Sequence, residues 1–187
     1  MGTLLGACLN RAGVETELVD VNPAHIEALN RNGASVTGKV NFRVPVRAVT
    51  PDEMEGIYDV IFLLIKQTYN ETSFPQILPH MDEKSMIVTL QNGLPEPAVA
   101  KVFGESRTMG CAVTWAATMI RPGETIATSD YEFWNSNLGR LDGKITERGQ
   151  EIREILAKMC RTELSSNLAG IRWSKLIINS SFSGMSA

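Results

Sequence analysis

The chain has 187 residues, a net charge of −3 and an isoelectric point near 5.5, with 43% hydrophobic and 21% charged residues. That length holds one full domain and the beginning of another, and the composition is that of an ordinary globular protein. The acidic balance leaves no basic footprint for nucleic acid, and the most apolar run, residues 60–65, is far too short to span a bilayer.

Through roughly the first hundred residues short β-like runs alternate with helical ones, the pattern of a parallel α/β sheet. Residues 3–11 read as a helix closed by Gly13, and residues 17–21 as a strand. Asn22-Pro23 supplies a cap followed by proline at the first helical position, opening a helix through Arg31 that stops near Gly33. Two short strands are expected around residues 35–45. Residues 58–65 form a continuous apolar run of the kind buried on both faces of a sheet, and residues 85–90 form another. The segment between them holds a short helix interrupted by Pro75.

Beyond Thr108 the character changes. Residues 108–114, 125–128 and 131–138 read as strands, with Arg121-Pro122-Gly123-Glu124 as a turn, which suggests an antiparallel extension of the sheet. Residues 145–160 form a charged amphipathic helix and residues 162–165 a short strand. A last helix covers residues 167–187. On it Lys175, Asn179 and Ser183 recur every fourth residue and share one face, extended by Arg172 and Ser186. The other faces carry Ile171, Trp173, Leu176, Ile177, Ile178, Phe182 and Met185, so the expectation is a mostly buried helix with a narrow polar stripe. Such a stripe, one lysine followed by small hydrogen-bonding residues, suits a cleft wall. The alternative is a surface helix whose stripe meets water.

Three cysteines, Cys8, Cys111 and Cys160, are odd in number and widely spaced, against a disulfide framework or a structural zinc site, and no metal site is expected. Buried, unreactive thiols and a cytoplasmic compartment are the reading, since His25 and His80 stand in no recognisable relation to any of the three.

In an open α/β sheet, ligands bind beyond the carboxyl ends of the strands. Met1-Gly2 precedes the first helix, where a glycine permits close packing beside a pyrophosphate held at the helix N-terminus. Asp20 closes the next strand, close to the spacing at which an acidic residue meets the adenosine ribose hydroxyls. Lys66 and Asn92-Gly93 terminate the two apolar strands. Each has a bland reading alone, as a packing glycine, a turn former or a solvated charge; together they fall on one edge of a sheet.

Five ordered blocks then resemble ketopantoate reductases (2-dehydropantoate 2-reductases) across the chain. Met1-Gly2-Thr3-Leu4-Leu5-Gly6 is similar to the second half of that family's G-x-G-x-M-G dinucleotide fingerprint. Leu64-Ile65-Lys66, Leu90-Gln91-Asn92-Gly93-Leu94, Val113-Thr114-Trp115-Ala116-Ala117 with Arg121-Pro122-Gly123, and Arg172-Trp173-Ser174-Lys175-Leu176-Ile177-Ile178-Asn179 follow in the family's order. The resemblance implies reduction of a 2-keto acid, 2-dehydropantoate, to (R)-pantoate by hydride from NADPH. It implies Lys175 as general acid, Asn179 and Ser183 as substrate-binding residues, and Gly2, Thr3, Asp20, Lys66, Asn92 and Ala117 as cofactor-binding residues. The implied fold is a Rossmann-like NAD(P)-binding domain over residues 1–166, N-terminally truncated and without its first strand. Residues 167–187 would start an all-helical substrate domain, C-terminally truncated.

The chain departs from the family pattern at four points. It begins at the fifth position of the fingerprint, so the first two glycines are not in it, and it ends at the first helix of the helical domain. Ser183 stands where the family usually has Asn. Asp20 would repel a 2′-phosphate and is followed by Val21, Asn22 and Pro23, none of them basic, so NADH is the electrostatic expectation beside the family's NADPH. A reductase of another 2-keto acid on the same scaffold, and a catalytically silent dinucleotide-binding or interaction module, are the competing readings. The resemblance suggests a monomer or a homodimer without choosing.

Overall fold

A computed structural model describes residues 1–185 of the chain, with side chains described through Ser181. In chain order the elements are α1 (Gly2–Arg11), β1 (Glu17–Val19), α2 (Pro23–Asn32), β2 (Ala34–Gly38), β3 (Phe42–Val44), β4 (Arg47–Val49), β5 (Val60–Leu63), α3 (Asn70–Ile77), β6 (Met86–Thr89), α4 (Glu96–Phe103), β7 (Thr108–Val113), β8 (Ala117–Arg121), β9 (Glu124–Ala127), β10 (Asn135–Gly139), α5 (Glu147–Ala157), β11 (Arg161–Ser165) and α6 (Leu168–Met185). The α/β class expected from the alternating pattern is observed. The chain divides into two compact units. One is built from Met1–Gly56, Thr114–Asn135 and Glu154–Arg161, and the other from Ile57–Val113, Ser136–Arg153 and the residues from Thr162 onward.

In the first unit, β1 and β4 run parallel with Glu17 opposite Arg47 and Val19 opposite Val49. Helix α1 lies close on β1 because Gly6 has no side chain: a Cβ there would come within 2.8 Å of Leu18. Helix α2 starts where expected. Asn22 Oδ1 accepts from the N–H groups of Ala24 and His25, and Pro23 occupies the first turn, where its missing N–H costs nothing. Asn30 then fastens α2 to β4, donating to the Ala48 carbonyl at 2.7 Å and accepting from the Ala48 N–H at 2.8 Å. A four-stranded sheet in the order β3-β2-β9-β8 completes the unit, with β2 and β9 parallel and the outer strands antiparallel to them.

The second unit carries a five-stranded sheet in the order β11-β10-β7-β6-β5. Its β5, β6 and β7 are parallel, and β10 joins β7 antiparallel. Leu63, Phe74, Met81, Ile87, Val99 and Phe103 form its core cluster, in which the Phe74 and Phe103 rings meet edge to face at 5.0 Å. All four residues of β6 are buried, as the apolar run requires of a strand with neighbours on both sides.

Five expectations are corrected. The run at residues 58–65 is not fully buried: of Val60–Leu63 only Leu63 is, and β5, last in its sheet, has a hydrogen-bonded neighbour on one side only. Strand β4 was not legible, because Arg47-Ala48-Val49 is short and starts with a charge. Strand β8 was missed too, and the β8–β9 hairpin extends the four-stranded sheet rather than the sheet of β7. The run at 131–138 breaks in two: Tyr131–Phe133 is a helical turn, and the strand begins only at Asn135. Finally, α6 is not mostly buried. Trp173, Ile177 and Ile178 are 54%, 62% and 54% exposed, because the described contacts hold the helix along one side, through Leu168, Arg172 and Lys175.

Candidate functional site

In the second unit three strand ends bring the expected residues together. Lys66 follows β5 and Asn92 follows β6, both exposed, at the carboxyl ends of adjacent parallel strands. The Gln67 side chain donates to the Asn92 carbonyl, tying one loop to the other. Gly93 makes the bend after Asn92 with a φ of +83°, which a side chain would strain. The third strand end, β7, is met by Lys175 of α6, whose ammonium donates to the Val113 carbonyl at 2.7 Å. Lys175 is half-buried, and its pKa is lowered first by that burial and then by the neighbouring Arg172 guanidinium, against a smaller raising effect of Cys111. Asn179 lies one turn further along α6 and is exposed. The Ser183 side chain lies outside the described residues, as does Ser186.

Arg172 does not belong to the polar row that its spacing implies. It is 2% exposed, and its guanidinium bonds Glu96 of α4 at 2.5 and 2.7 Å while donating to the carbonyls of Gln91 at 2.9 Å and Thr89 at 3.0 Å. Gln91, itself buried, donates to the Ile65 carbonyl at 3.0 Å and to Asn70 Oδ1 at 2.7 Å. The loops bearing Lys66 and Asn92 therefore hang on a laced frame of buried polar groups. Nothing in the sequence marks this frame beyond the polar character of Gln91 at the end of an apolar strand.

In the first unit, Gly2 and Thr3 open α1, and Asp20 follows β1. The first turn of α1 holds no acidic residue and has no side-chain cap, and nothing lies within 4 Å of where a Gly2 Cβ would be. An uncapped helix start of this kind suits an anion. Asp20 is exposed and accepts from the Asn22 N–H at 2.9 Å. These features fit the phosphate and ribose of a dinucleotide. Ala117 opens β8, where it pairs with Ala127.

The sequence reading also missed His25. It is 3% exposed, with Nδ1 accepting from the Gly123 N–H at 3.0 Å and Nε2 at 3.0 Å from the Thr3 hydroxyl. A ring that accepts at Nδ1 carries its proton at Nε2, so His25 donates to Thr3 and ties the first turns of α1 and α2 to the β8–β9 turn. Burial holds its pKa below the ordinary value, against the raising effect of Asp20 and with a smaller lowering effect of the Met1 amino group. Cys111 and Cys160 are buried, and burial pushes the Cys8 thiol up to about 11, so the expected inertness fits. Among the described residues there is no cluster of three or more metal-ligating side chains, and no helix is long and apolar enough to cross a membrane.

The family model for ketopantoate reductase PanE/ApbA matches residues 1–140. A 2-dehydropantoate 2-reductase of Pyrococcus horikoshii is 23% identical over 192 residues, a match that covers 100% of this chain and 60% of the relative. The crystal structure of 2-dehydropantoate 2-reductase from Geobacter metallireducens superposes with a TM-score of 0.84 at 28% identity, over 94% of this chain and 58% of that one. D-mandelate dehydrogenase in complex with NADH shares the fold at a TM-score of 0.83 and 19% identity, over 96% of this chain and 57% of its own. The chain thus spans about three fifths of the length of these relatives.

Proposed function

The chain belongs to the ketopantoate reductase PanE/ApbA family, and from that membership we propose that it serves the reduction of 2-dehydropantoate to (R)-pantoate, on the route to pantothenate and coenzyme A, by a reduced nicotinamide dinucleotide. Residues 1–166 are the NAD(P)-binding part in this proposal, and residues 167–187 begin the part that binds substrate. The dinucleotide supplies the hydride and the chain does the rest. In the first unit Gly2 and Thr3 would receive its phosphates at the α1 N-terminus and Asp20 its ribose hydroxyls, with the Ala117 backbone along the cofactor; in the second unit Lys66 and Asn92 would sit beside the nicotinamide and its ribose.

Lys175 is the general acid. Hydride addition to the keto carbon pushes the carbonyl π electrons onto oxygen, and the Lys175 ammonium gives that oxygen its proton, leaving a neutral amine that recovers a proton from water. Before and during transfer the positive charge also attracts the growing negative charge on oxygen. A pKa below the ordinary lysine value strengthens the acid, and the causes are on the molecule: burial first, then Arg172. Asn179, one turn on, holds the substrate's polar groups, with Ser183 as its neighbour in the same role.

The observation that carries this reading is Lys175 at the Val113 carbonyl, on the strand-end edge that also holds Lys66 and Asn92. Its test is the 2-dehydropantoate-dependent oxidation of NADPH and of NADH, followed optically. Lys175→Ala should lower kcat by about a hundredfold or more. Unchanged turnover in that variant would remove Lys175 from the mechanism.

A further inference from the structure

The largest fully buried side chain in the second unit is charged. Arg172, 2% exposed, and Glu96, also 2% exposed, form an ion pair with no water-facing side. Taking two such charges out of water costs several kcal/mol per ion, and stability alone is served as well by apolar residues of the same volume. A pair of this kind calls for a role besides holding the fold.

Its surroundings specify that role. Arg172 uses Nε and Nη2 on Glu96, Nη1 on the Gln91 carbonyl and Nη2 again on the Thr89 carbonyl, so it grips the carboxyl end of β6 immediately before Asn92. Gly110 of β7 makes room for the acid: a Cβ there would stand 2.1 Å from Glu96 Oε1. Three residues after Arg172 on the same helix face comes Lys175, bound to the end of β7. One cation thereby fastens α6 to the end of β6 and, one turn before Lys175 on the same helix face, bears on the Lys175 charge.

We propose that the buried Arg172–Glu96 pair is a positioning device for Lys175, and that the balance of its two charges governs how readily Lys175 gives up its proton. The proposal rests on Lys175 being the general acid. The groups facing Lys175 are Arg172 on its own helix and Cys111 on β7, with Glu96 of α4 acting through Arg172. Glu96 offsets only part of the Arg172 charge, and the remainder bears on Lys175. Remove only Glu96 and the full positive charge bears on Lys175. Remove both and Lys175 is relieved of it.

The test is the titration of Lys175 by NMR in chain labelled with 13C at the lysine ε carbons, with Lys175→Arg identifying the signal. Glu96→Gln should move the Lys175 midpoint down, and the double variant Glu96→Met with Arg172→Met should move it up. A role confined to packing predicts no such opposition. Equal midpoints in the wild type and the double variant, or shifts of the same sign in the two variants, overturn the proposal. Glu96→Gln leaves a buried cation without its partner; should it fail to fold, the apolar double variant decides alone, since replacing both charges is the substitution that cores tolerate. Turnover of Lys175→Ala separates the two readings. A loss there with an unmoved midpoint keeps the acid and removes the device, whereas unchanged turnover removes the acid, and with it the proposal's premise.

Discussion

At the scale of single residues, the informative positions are those whose partners lie far away in sequence. Lys175 was legible because its neighbours in the row stand at fixed helical spacing on the same element. His25 was not, since what defines it is Gly123, 98 residues on, and Thr3, 22 residues back. Burial lowers the His25 pKa in the folded chain, so the folded ring takes up a proton less readily than the unfolded one, which does so near the ordinary value of 6.5. The unfolded state therefore binds more protons below that value, so the stability His25 contributes is complete above it and is lost as pH falls through the lowered folded value. Urea midpoints should fall between about pH 7.5 and about pH 5, and His25→Asn, which keeps an acceptor for Gly123, should flatten that slope. An equal slope in the variant would assign the acid sensitivity elsewhere.

Asp20 poses the cofactor question at the same scale. It is exposed at the end of β1, with no basic residue in the following Val21-Asn22-Pro23. In the role proposed for Asp20 at the ribose, a carboxylate disfavours a 2′-phosphate by Coulomb repulsion in a solvent-screened setting, so Asp20→Ser should improve affinity for NADPH relative to NADH by about three- to tenfold. Binding titrations with both nucleotides measure this, and a strong NADPH preference in the unaltered chain would contradict the electrostatic reasoning.

At the scale of elements, α6 shows how a helix can be read correctly in extent and wrongly in environment. Its periodicity implied apolar faces turned inward, yet the structure seats it through Leu168, Arg172 and Lys175 on the sheet and leaves Trp173, Ile177 and Ile178 more than half exposed. The seat itself is made by glycines. Gly110 and Gly139 lie opposite each other in the β7–β10 pair, and a Cβ on either would come within 2.7 or 3.0 Å of Leu168. Gly110→Ala must displace both Glu96 and Leu168, an overpacking that should cost about 1–3 kcal/mol in urea denaturation. A midpoint equal to that of the parent chain would mean that α6 does not depend on this close approach. Strands β4 and β8 escaped the sequence reading for a complementary reason: each is short, and what makes it a strand is the neighbour it pairs with, β1 and β9 respectively.

At the scale of the whole molecule, the sequence by itself determined the α/β class, the order and approximate extent of most elements, the family blocks and the helical spacing that sets Asn179 one turn beyond Lys175 on the last helix. These are matters of local periodicity, caps and turn residues, which a chain carries wherever it goes: Asn22-Pro23 opens a helix and Gly33 ends one whatever surrounds them. Only the tertiary structure decided that residues 121–124 turn a hairpin of the four-stranded sheet, that β5 is an edge, and that the chain divides into two compact units. Tertiary structure also decided the fate of two cations three residues apart on one face. Lys175 meets a strand end half in water, whereas Arg172 is buried against an acid 76 residues away. Helical spacing says which side chains share a face, but burial and charge pairing depend on what packs there, and that is settled between segments remote in sequence.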